Sequence, residues 1–198
     1  MLIFLRERLT IFATPKTGST SVESVLAPHA DIVLQRTPQL KHMAYHRYVW
    51  KMEKLLATYT DELPETCAVV RDPLDWLGSW YRFRQADWLA GRPKSTRNIS
   101  FESFVDACLS DDPPPFAAVG SQGKFLTHPK TGAQVQHLFR HDAMEVFVAF
   151  VQERLGRSVE LPKLNRSLAP PVAVSEALRA RLAAAQPLDH ALYESARH

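Results

Sequence analysis

Short runs of apolar and β-branched residues alternate along the chain with segments whose apolar positions repeat at helical spacing. The runs are typical of buried strands, and the amphipathic segments are typical of helices. The predicted strands cover residues 9–13, 31–34, 66–70 and 134–140. The predicted helices cover residues 19–26, about 44–58, 73 to about 88, 101–109, 143–155, 175–185 and 188–196. This alternation predicts a three-layer α/β/α fold, with a mostly parallel central sheet and helices on both of its faces.

The length and composition are those of a single compact enzyme domain. A chain of 198 residues can bury a sizeable core, and neither a repeat nor a low-complexity segment divides residues 1–198. Charged residues make up 23% of the chain, and the net charge of +3 is a mild positive surplus. This surplus suits an anionic ligand but does not indicate nucleic acid, so we expect no nucleic-acid partner.

The first residues of the chain are apolar but do not have the pattern of a membrane anchor. Arg6, Glu7 and Arg8 interrupt the apolar run, and no run approaches the roughly 20 apolar residues of a membrane span. Cys67 and Cys108 have neither a CxxC nor a metal-ligand spacing, which favours free thiols in a reducing compartment. We therefore expect a soluble, cytoplasmic protein without a membrane partner.

The polar turn after the first predicted strand has the composition of an anion site. Its sequence is Thr14-Pro15-Lys16-Thr17-Gly18-Ser19-Thr20-Ser21, and it leads directly into the predicted helix 19–26. N–H groups in the first turn of a helix lack a helical acceptor, and the helix dipole favours negative charge there. Gly18 allows close backbone approach, Lys16 adds a positive charge, and the hydroxyl groups add hydrogen-bond donors. The turn is therefore predicted to bind a phosphate or sulfate group.

This turn differs from the loop that binds nucleoside triphosphates. That loop has the pattern G-x-x-x-x-G-K-[ST], in which a Lys follows the second Gly and a hydroxyl group coordinates Mg²⁺. Here Lys16 precedes Gly18, and the turn contains no other Gly. A small-molecule kinase of related P-loop architecture is the first alternative, but the residue order favours a phosphate-type anion over ATP with magnesium.

A second anion site is expected where the third predicted strand ends. Arg71 follows that strand directly, and Asp72-Pro73 is a typical helix start. Ligands bind at the carboxyl edge of open α/β sheets, so Arg71 and Lys16 should lie at the same edge. Ser79 lies off the apolar stripe of the following helix, and we expect it to share a second phosphate with Arg71. The stripe itself, which we expect in the core, consists of Trp76, Trp80 and Phe83.

Several segments together resemble one protein family. PKTGSTS (residues 15–21) resembles the 5′-phosphosulfate loop of sulfotransferases that use 3′-phosphoadenosine 5′-phosphosulfate (PAPS). VVRDPLDWLGSWY (residues 69–81) resembles their 3′-phosphate element, an Arg at a strand end and a Ser on the next helix. Lys41-His42, LPKLNRS (residues 161–167) and LDHALY (residues 188–193) are similar to further elements of the carbohydrate-type and bacterial branch. The resemblance covers nearly the whole chain, and its first two motifs are the specific ones.

The resemblance implies a PAPS-dependent sulfotransferase with a P-loop-like fold. PAPS would be the co-substrate, no metal would be required, and the acceptor would be a hydroxyl group of a carbohydrate or small molecule. Lys16 would also act in catalysis, by stabilising the charge that develops on the leaving phosphate oxygen. The residues assigned to nucleotide binding are Lys16, Thr17, Gly18, Ser19, Thr20, Ser21, Arg71, Ser79, Asn165, Arg166 and Ser167.

A histidine is the best candidate for the base that accepts the acceptor's proton, because its ordinary pKa lies near neutral pH. His42 follows the second predicted strand, and His46 lies one helical turn further on. The resemblance favours His42 and leaves His46 as the alternative. The chain departs from the family's usual sequence at Gly18-Ser19, Trp76 and His141. A non-catalytic module that binds PAPS or a sulfated ligand would keep both anion sites but would not depend on His42.

Overall fold

The computed structural model describes residues 1–162 and 175–198. The strands of this part of the chain are β1 (Leu2–Phe4), β2 (Leu9–Phe12), β3 (Ile32–Val33), β4 (Glu65–Val70) and β5 (His137–Arg140). They form a five-stranded sheet in the order β3-β1-β2-β4-β5. Each of the four predicted strands is present, most of them shorter than predicted. The α/β class expected from the sequence is therefore confirmed.

The sheet is parallel in one half and antiparallel in the other. β4 pairs in parallel with β2 on one side and with β5 on the other. β1 is antiparallel to both β2 and β3, so β3 runs in the same direction as β2. β1 was not predicted, because the apolar run at residues 1–5 was considered only as a possible membrane anchor. The expectation of a mostly parallel sheet is thus correct for the centre, while β1 makes the whole sheet mixed.

Helices connect the strands and follow the sheet to the end of the chain. They are α1 (Ser19–Leu26), α2 (Pro38–Lys41), α3 (Tyr45–Arg47), α4 (Lys54–Leu56), α5 (Pro73–Phe83), α6 (Phe101–Cys108), α7 (Gln122–Leu126), α8 (Met144–Leu155), α9 (Glu176–Ala185) and α10 (Pro187–Ser195). The predicted helix 44–58 consists of α3, a π-helical segment at Tyr48–Glu53 and α4. The short helices α2 and α7 were not predicted. Across the described ranges, no helix is both long and apolar enough to cross a membrane.

Both faces of the sheet are buried, because successive residues of a strand point to opposite sides. One face packs against α1 and α8, through a cluster that includes Leu2, Ile11, Val69, Phe139, Val22 and Phe147. The other face packs against the segment around Tyr48 and against α7 and α10, through a cluster that includes Ile3, Phe12, Ala68, Val70, Leu126 and Leu192. A strand buried on both faces is apolar throughout, which explains the continuous apolar runs in the sequence.

The helix that follows β4 begins as the sequence predicts but ends earlier. Asp72 Oδ1 accepts hydrogen bonds from the N–H groups of Leu74 at 3.0 Å and Asp75 at 2.9 Å. This side-chain cap satisfies donors of the first turn, which have no helical acceptor. α5 ends at Phe83 rather than near residue 88, and the buried guanidinium of the next residue, Arg84, donates to the carbonyl of Pro115 at 2.8 Å. The Asp72 cap fixes the start of α5, and with it the position of the neighbouring Arg71.

Candidate functional site

The two predicted anion elements meet at one edge of the sheet. Because β2 and β4 are parallel, the turn after β2 and Arg71 after β4 emerge at the same edge. Arg71 Nη1 donates a hydrogen bond to the backbone carbonyl of Lys16 at 3.2 Å. The expectation that Lys16 and Arg71 lie at a common edge is therefore confirmed, and the two elements are in direct contact.

The turn after β2 has an unusual backbone that its neighbours hold in place. Lys16 has φ 66° and Gly18 has φ 80°, both in the left-handed region. A residue other than glycine in this region costs about 1–3 kcal/mol and persists only where the surroundings enforce it. Here Trp76 Nε1 donates to the carbonyl of Pro15 at 2.8 Å, and Arg71 holds the next carbonyl. The segment after β4 therefore fixes the conformation of the turn after β2.

The hydroxyl groups of the turn divide into buried and accessible ones. Thr17 is buried, and its Oγ1 donates to the carbonyl of Thr14 at 2.9 Å, which closes the turn. Ser21 is also buried, whereas Ser19 is half-buried and Thr20 is exposed. Thr17 and Ser21 therefore shape the turn, and the side chains free to meet a ligand are those at positions 19 and 20.

The N-terminus of α1 leaves backbone donors open to an anion. Ser19 and Thr20 are the first residues of the helix, so their N–H groups have no acceptor within it. Gly18 precedes them as the N-cap without a side-chain cap, and no heavy atom beyond its chain neighbours lies within 4 Å of the position that a Cβ would occupy. An anion can approach here, and the helix dipole favours it.

Three cationic side chains gather beside this turn. Arg71 Nε lies 2.5 Å from Asp75 Oδ2, and Arg82 Nη2 lies 3.8 Å from the other oxygen of the same carboxylate. Burial, reinforced by the positive charges of Arg71 and Arg82, lowers the pKa of Lys16 to about 8. Lys16 therefore remains mostly charged at neutral pH but gives up its proton more readily than an ordinary lysine, and an anion beside these cations would raise its pKa again.

Arg82 was not among the predicted site residues. It lies seven residues after Asp75 on α5, a spacing that places both on one helix face. Its Nε is buried and has no hydrogen-bond partner in the described ranges. The helical spacing from Asp75 was the signal in the sequence that could have identified it.

The structure places Ser79 on the same helix face. It is half-buried and lies one turn after Asp75, between that residue and Arg82. Its position is therefore compatible with the pairing expected between Ser79 and Arg71. The remaining predicted nucleotide-binding residues, Asn165, Arg166 and Ser167, lie outside the described residues.

An aromatic row begins in the core and ends beside Lys16. Trp76 is 2% exposed, Trp80 is half-buried, and Phe83 is 42% exposed. Lys16 Nζ lies 4.0 Å from the ring centroid of Phe83 and 5.5 Å from that of Trp80. The prediction that all three aromatic residues belong to the core is therefore wrong for Phe83. Its ring lies at the end of α5, where it contacts the Lys16 ammonium as a cation–π partner.

His42 is bonded to the start of the same turn. Its Nδ1 lies 2.6 Å from the carbonyl oxygen of Ala13, which can only accept, so Nδ1 carries the proton. In the neutral ring, Nε2 then holds the free electron pair. Burial lowers the pKa of His42, and the hydrogen bond to Ala13 partly opposes this shift. The imidazole is therefore neutral at neutral pH, as a general base must be.

An ion pair ties the segment before His42 to helix α1. Lys41 Nζ lies 2.6 Å from Glu23 Oε2, and the Glu23 side chain is almost completely buried. The same ammonium lies 3.5 Å from Thr20 Oγ1, at the first turn of α1. These contacts hold the end of α2 against the turn after β2 and the start of α1. They thereby fix the backbone from which the His42 ring projects.

His46 has a different environment. It lies on α3, and its Nδ1 is buried with no hydrogen-bond partner in the part of the chain that the structure describes. His42, by contrast, is bonded to Ala13, directly before the turn after β2. A third histidine, His141, follows β5 at the same sheet edge, where burial and the nearby charge of Arg71 lower its pKa.

Comparison of the chain with protein families, curated proteins and solved structures found no match in any of the three. The family resemblance of the motifs therefore remains a hypothesis. The geometry of the sheet edge combines open helix N–H groups, three clustered cations and a neutral imidazole.

We expect the Lys16 ammonium to titrate with a pKa of about 8, because burial and two guanidinium groups disfavour its charge. Arg82→Gln removes one of these positive neighbours and should raise that pKa. The measurement is NMR titration of protein whose lysines carry ¹³C-labelled methyl groups. Arg181→Gln is the control, because Arg181 pairs with Asp106 away from this cluster. An identical Lys16 titration in Arg82→Gln and in the parent would contradict the proposed charge cluster.

Proposed function

We propose that this chain is a PAPS-dependent sulfotransferase that transfers a sulfuryl group to an acceptor hydroxyl of a carbohydrate or small molecule. The observation that carries the proposal is the contact between Arg71 Nη1 and the Lys16 carbonyl. It joins two anion elements on neighbouring parallel strands, as a nucleotide with phosphates on both its 5′ and 3′ sides requires. We further propose a P-loop-like three-layer arrangement, cytoplasmic location, and no metal, membrane or nucleic-acid partner.

In the proposed complex, the two elements bind opposite ends of the nucleotide. The N–H groups of Ser19 and Thr20, with the ammonium of Lys16, bind the 5′-phosphosulfate. Arg71 and Ser79 bind the 3′-phosphate, to which the guanidinium, held in place by its contacts with Asp75 and Lys16, presents Nη2. The open N–H groups at the start of α1 and the guanidinium of Arg71 after β4 support this division, because each end of the ligand then meets its own donors.

The proposed reaction is a direct transfer of SO₃. The acceptor oxygen forms a bond to sulfur while the bond between sulfur and the 5′-phosphate oxygen breaks. The proton of the acceptor hydroxyl moves to His42 Nε2, and Lys16 stabilises the negative charge left on the phosphate oxygen. The products are a sulfate ester and 3′-phosphoadenosine 5′-phosphate (PAP). Positioning and electrostatic stabilisation supply most of the rate in such transfers, by analogy with phosphoryl transfer.

We expect PAP to raise the melting temperature of the protein more than AMP does. A ligand that binds only the native state stabilises it, and AMP lacks the 3′-phosphate that Arg71 is proposed to bind. Thermal unfolding at increasing concentrations of each nucleotide measures the difference. Equal stabilisation by AMP and PAP would remove the case for a 3′-phosphate site.

The matched variant for this experiment is Arg71→Lys. Lysine keeps the positive charge but lacks the planar guanidinium whose contacts aim Nη2, so PAP should stabilise the variant hardly more than AMP. The unliganded variant should still fold, because β4 is held by buried apolar residues that end at Val70. Undiminished preference for PAP in Arg71→Lys would show that Arg71 is not the 3′-phosphate ligand.

We expect His42→Ala to lower turnover by about two to four orders of magnitude, the usual effect of removing a general base. The assay follows ³⁵S transfer from labelled PAPS to a panel of sugar and small-molecule acceptors, in the presence of EDTA. PAP affinity should change little, because His42 acts on the acceptor. His46→Ala is the control and should cost far less. Absence of transfer to every acceptor, or equal rates in both variants, would contradict the assignment.

A further inference from the structure

The backbone of Arg71 is held by one side-chain amide. The N–H of Arg71 donates to Gln122 Oε1 at 2.9 Å, and Gln122 Nε2 donates to the carbonyl of Arg71 at 2.8 Å. The pairing of β4 with β5 reaches its last matched pair at Val70 and Arg140. Gln122 therefore takes the place of a neighbouring strand just beyond the end of β4, and satisfies both backbone groups of Arg71.

A buried carboxylate holds Gln122 in turn. Asp189 on α10 is 3% exposed, and its two oxygens accept from the N–H of Gln122 at 2.8 Å and of Gly123 at 3.0 Å. A Cβ at position 123 would lie 2.7 Å from Asp189 Oδ1, so the contact requires glycine. Asp189 thereby fixes the first turn of α7, from which the Gln122 side chain reaches Arg71.

The contacts of the Arg71 side chain determine which of its nitrogens remain for a ligand. Its Nε bonds Asp75 and its Nη1 bonds the Lys16 carbonyl, while Gln122 fixes the backbone behind it. These contacts leave Nη2 as the guanidinium nitrogen without a hydrogen-bond partner in the described ranges. The direction in which Nη2 points depends on the orientation of the guanidinium plane, so the backbone that carries the side chain has to be held if Nη2 is to meet a phosphate.

We propose that Gln122, held by Asp189, is a positioning residue of the 3′-phosphate site. It touches no ligand, and it acts by fixing the backbone from which Arg71 presents its guanidinium. The inference rests on the proposed function for the identity of the ligand. The geometry adds that helices α7 and α10, far from β4 in sequence, determine how well Arg71 binds a phosphate.

A second glutamine, Gln136, bonds the other end of β4 and provides a matched control for Gln122. Gln136 Oε1 accepts from the backbone N–H of Thr66 at 2.7 Å and from its Oγ1 at 3.2 Å. Thr66 lies at the opposite end of β4 from Arg71. Gln136→Ala therefore removes a side-chain amide that bonds the other end of β4, away from Arg71, and reports the effect of such a loss on stability alone.

The test is a double-mutant cycle on PAP affinity, measured by titration calorimetry. Gln122→Ala should weaken PAP binding roughly tenfold in the parent protein and hardly at all in the Arg71→Ala background, where nothing is left to position. Gln136→Ala should leave the PAP dissociation constant unchanged. Gln122→Glu keeps an acceptor for the Arg71 N–H but sets a carboxylate oxygen against the Arg71 carbonyl, so it should also weaken PAP binding, and circular dichroism checks that it remains folded.

The outcomes separate this inference from the proposed function. If the parent protein does not bind PAP, the proposed function fails. If the parent binds PAP and folded Gln122→Ala or Gln122→Glu binds it equally well, the positioning role is wrong. An equal loss of affinity from Gln122→Ala with and without Arg71 would also overturn it, because the effect would then not pass through Arg71. Where Gln122→Ala does not fold, Gln122→Glu carries the same cycle.

Discussion

The candidate site depends on two backbone carbonyls in the turn after β2. Those of Pro15 and Lys16 accept hydrogen bonds from Trp76 and Arg71, both of which follow β4. The bonds hold Lys16 at a positive φ that its side chain disfavours, and they bring the second anion element against the first. The parallel pairing of β2 with β4 makes this contact possible, because it brings both segments out at one edge.

The electrostatics of the edge follow from this contact. Lys16, Arg71 and Arg82 lie close together, and burial, reinforced by the two guanidinium charges, lowers the pKa of Lys16. Asp75 pairs with both guanidinium groups and partly offsets their repulsion. In the proposed complex, a phosphate would offset this repulsion further, so part of the binding free energy would come from relieving repulsion between the cations. His42 adds a neutral acceptor of protons nearby, with its tautomer set by the carbonyl of Ala13.

Local patterns in the sequence predicted much of the fold and the position of the anion elements. The apolar runs gave β2, β4 and β5, and the Asp72-Pro73 pair gave the start of α5. The features that were missed depend on contacts between distant segments. β1 pairs with β2 and with the distant β3, Phe83 at the end of α5 lies against the ammonium of Lys16, and Gln122 reaches Arg71 because α7 packs beside the end of β4.

We propose that one nucleotide spans both anion elements, and a crystal structure of the protein with PAP would show whether it does. We expect the 5′-phosphate within hydrogen-bond distance of the N–H groups of Ser19 and Thr20, and the 3′-phosphate on the guanidinium of Arg71. A nucleotide bound with its 3′-phosphate in solvent, or bound away from the turn that contains Lys16, would show that the two elements do not form one nucleotide site.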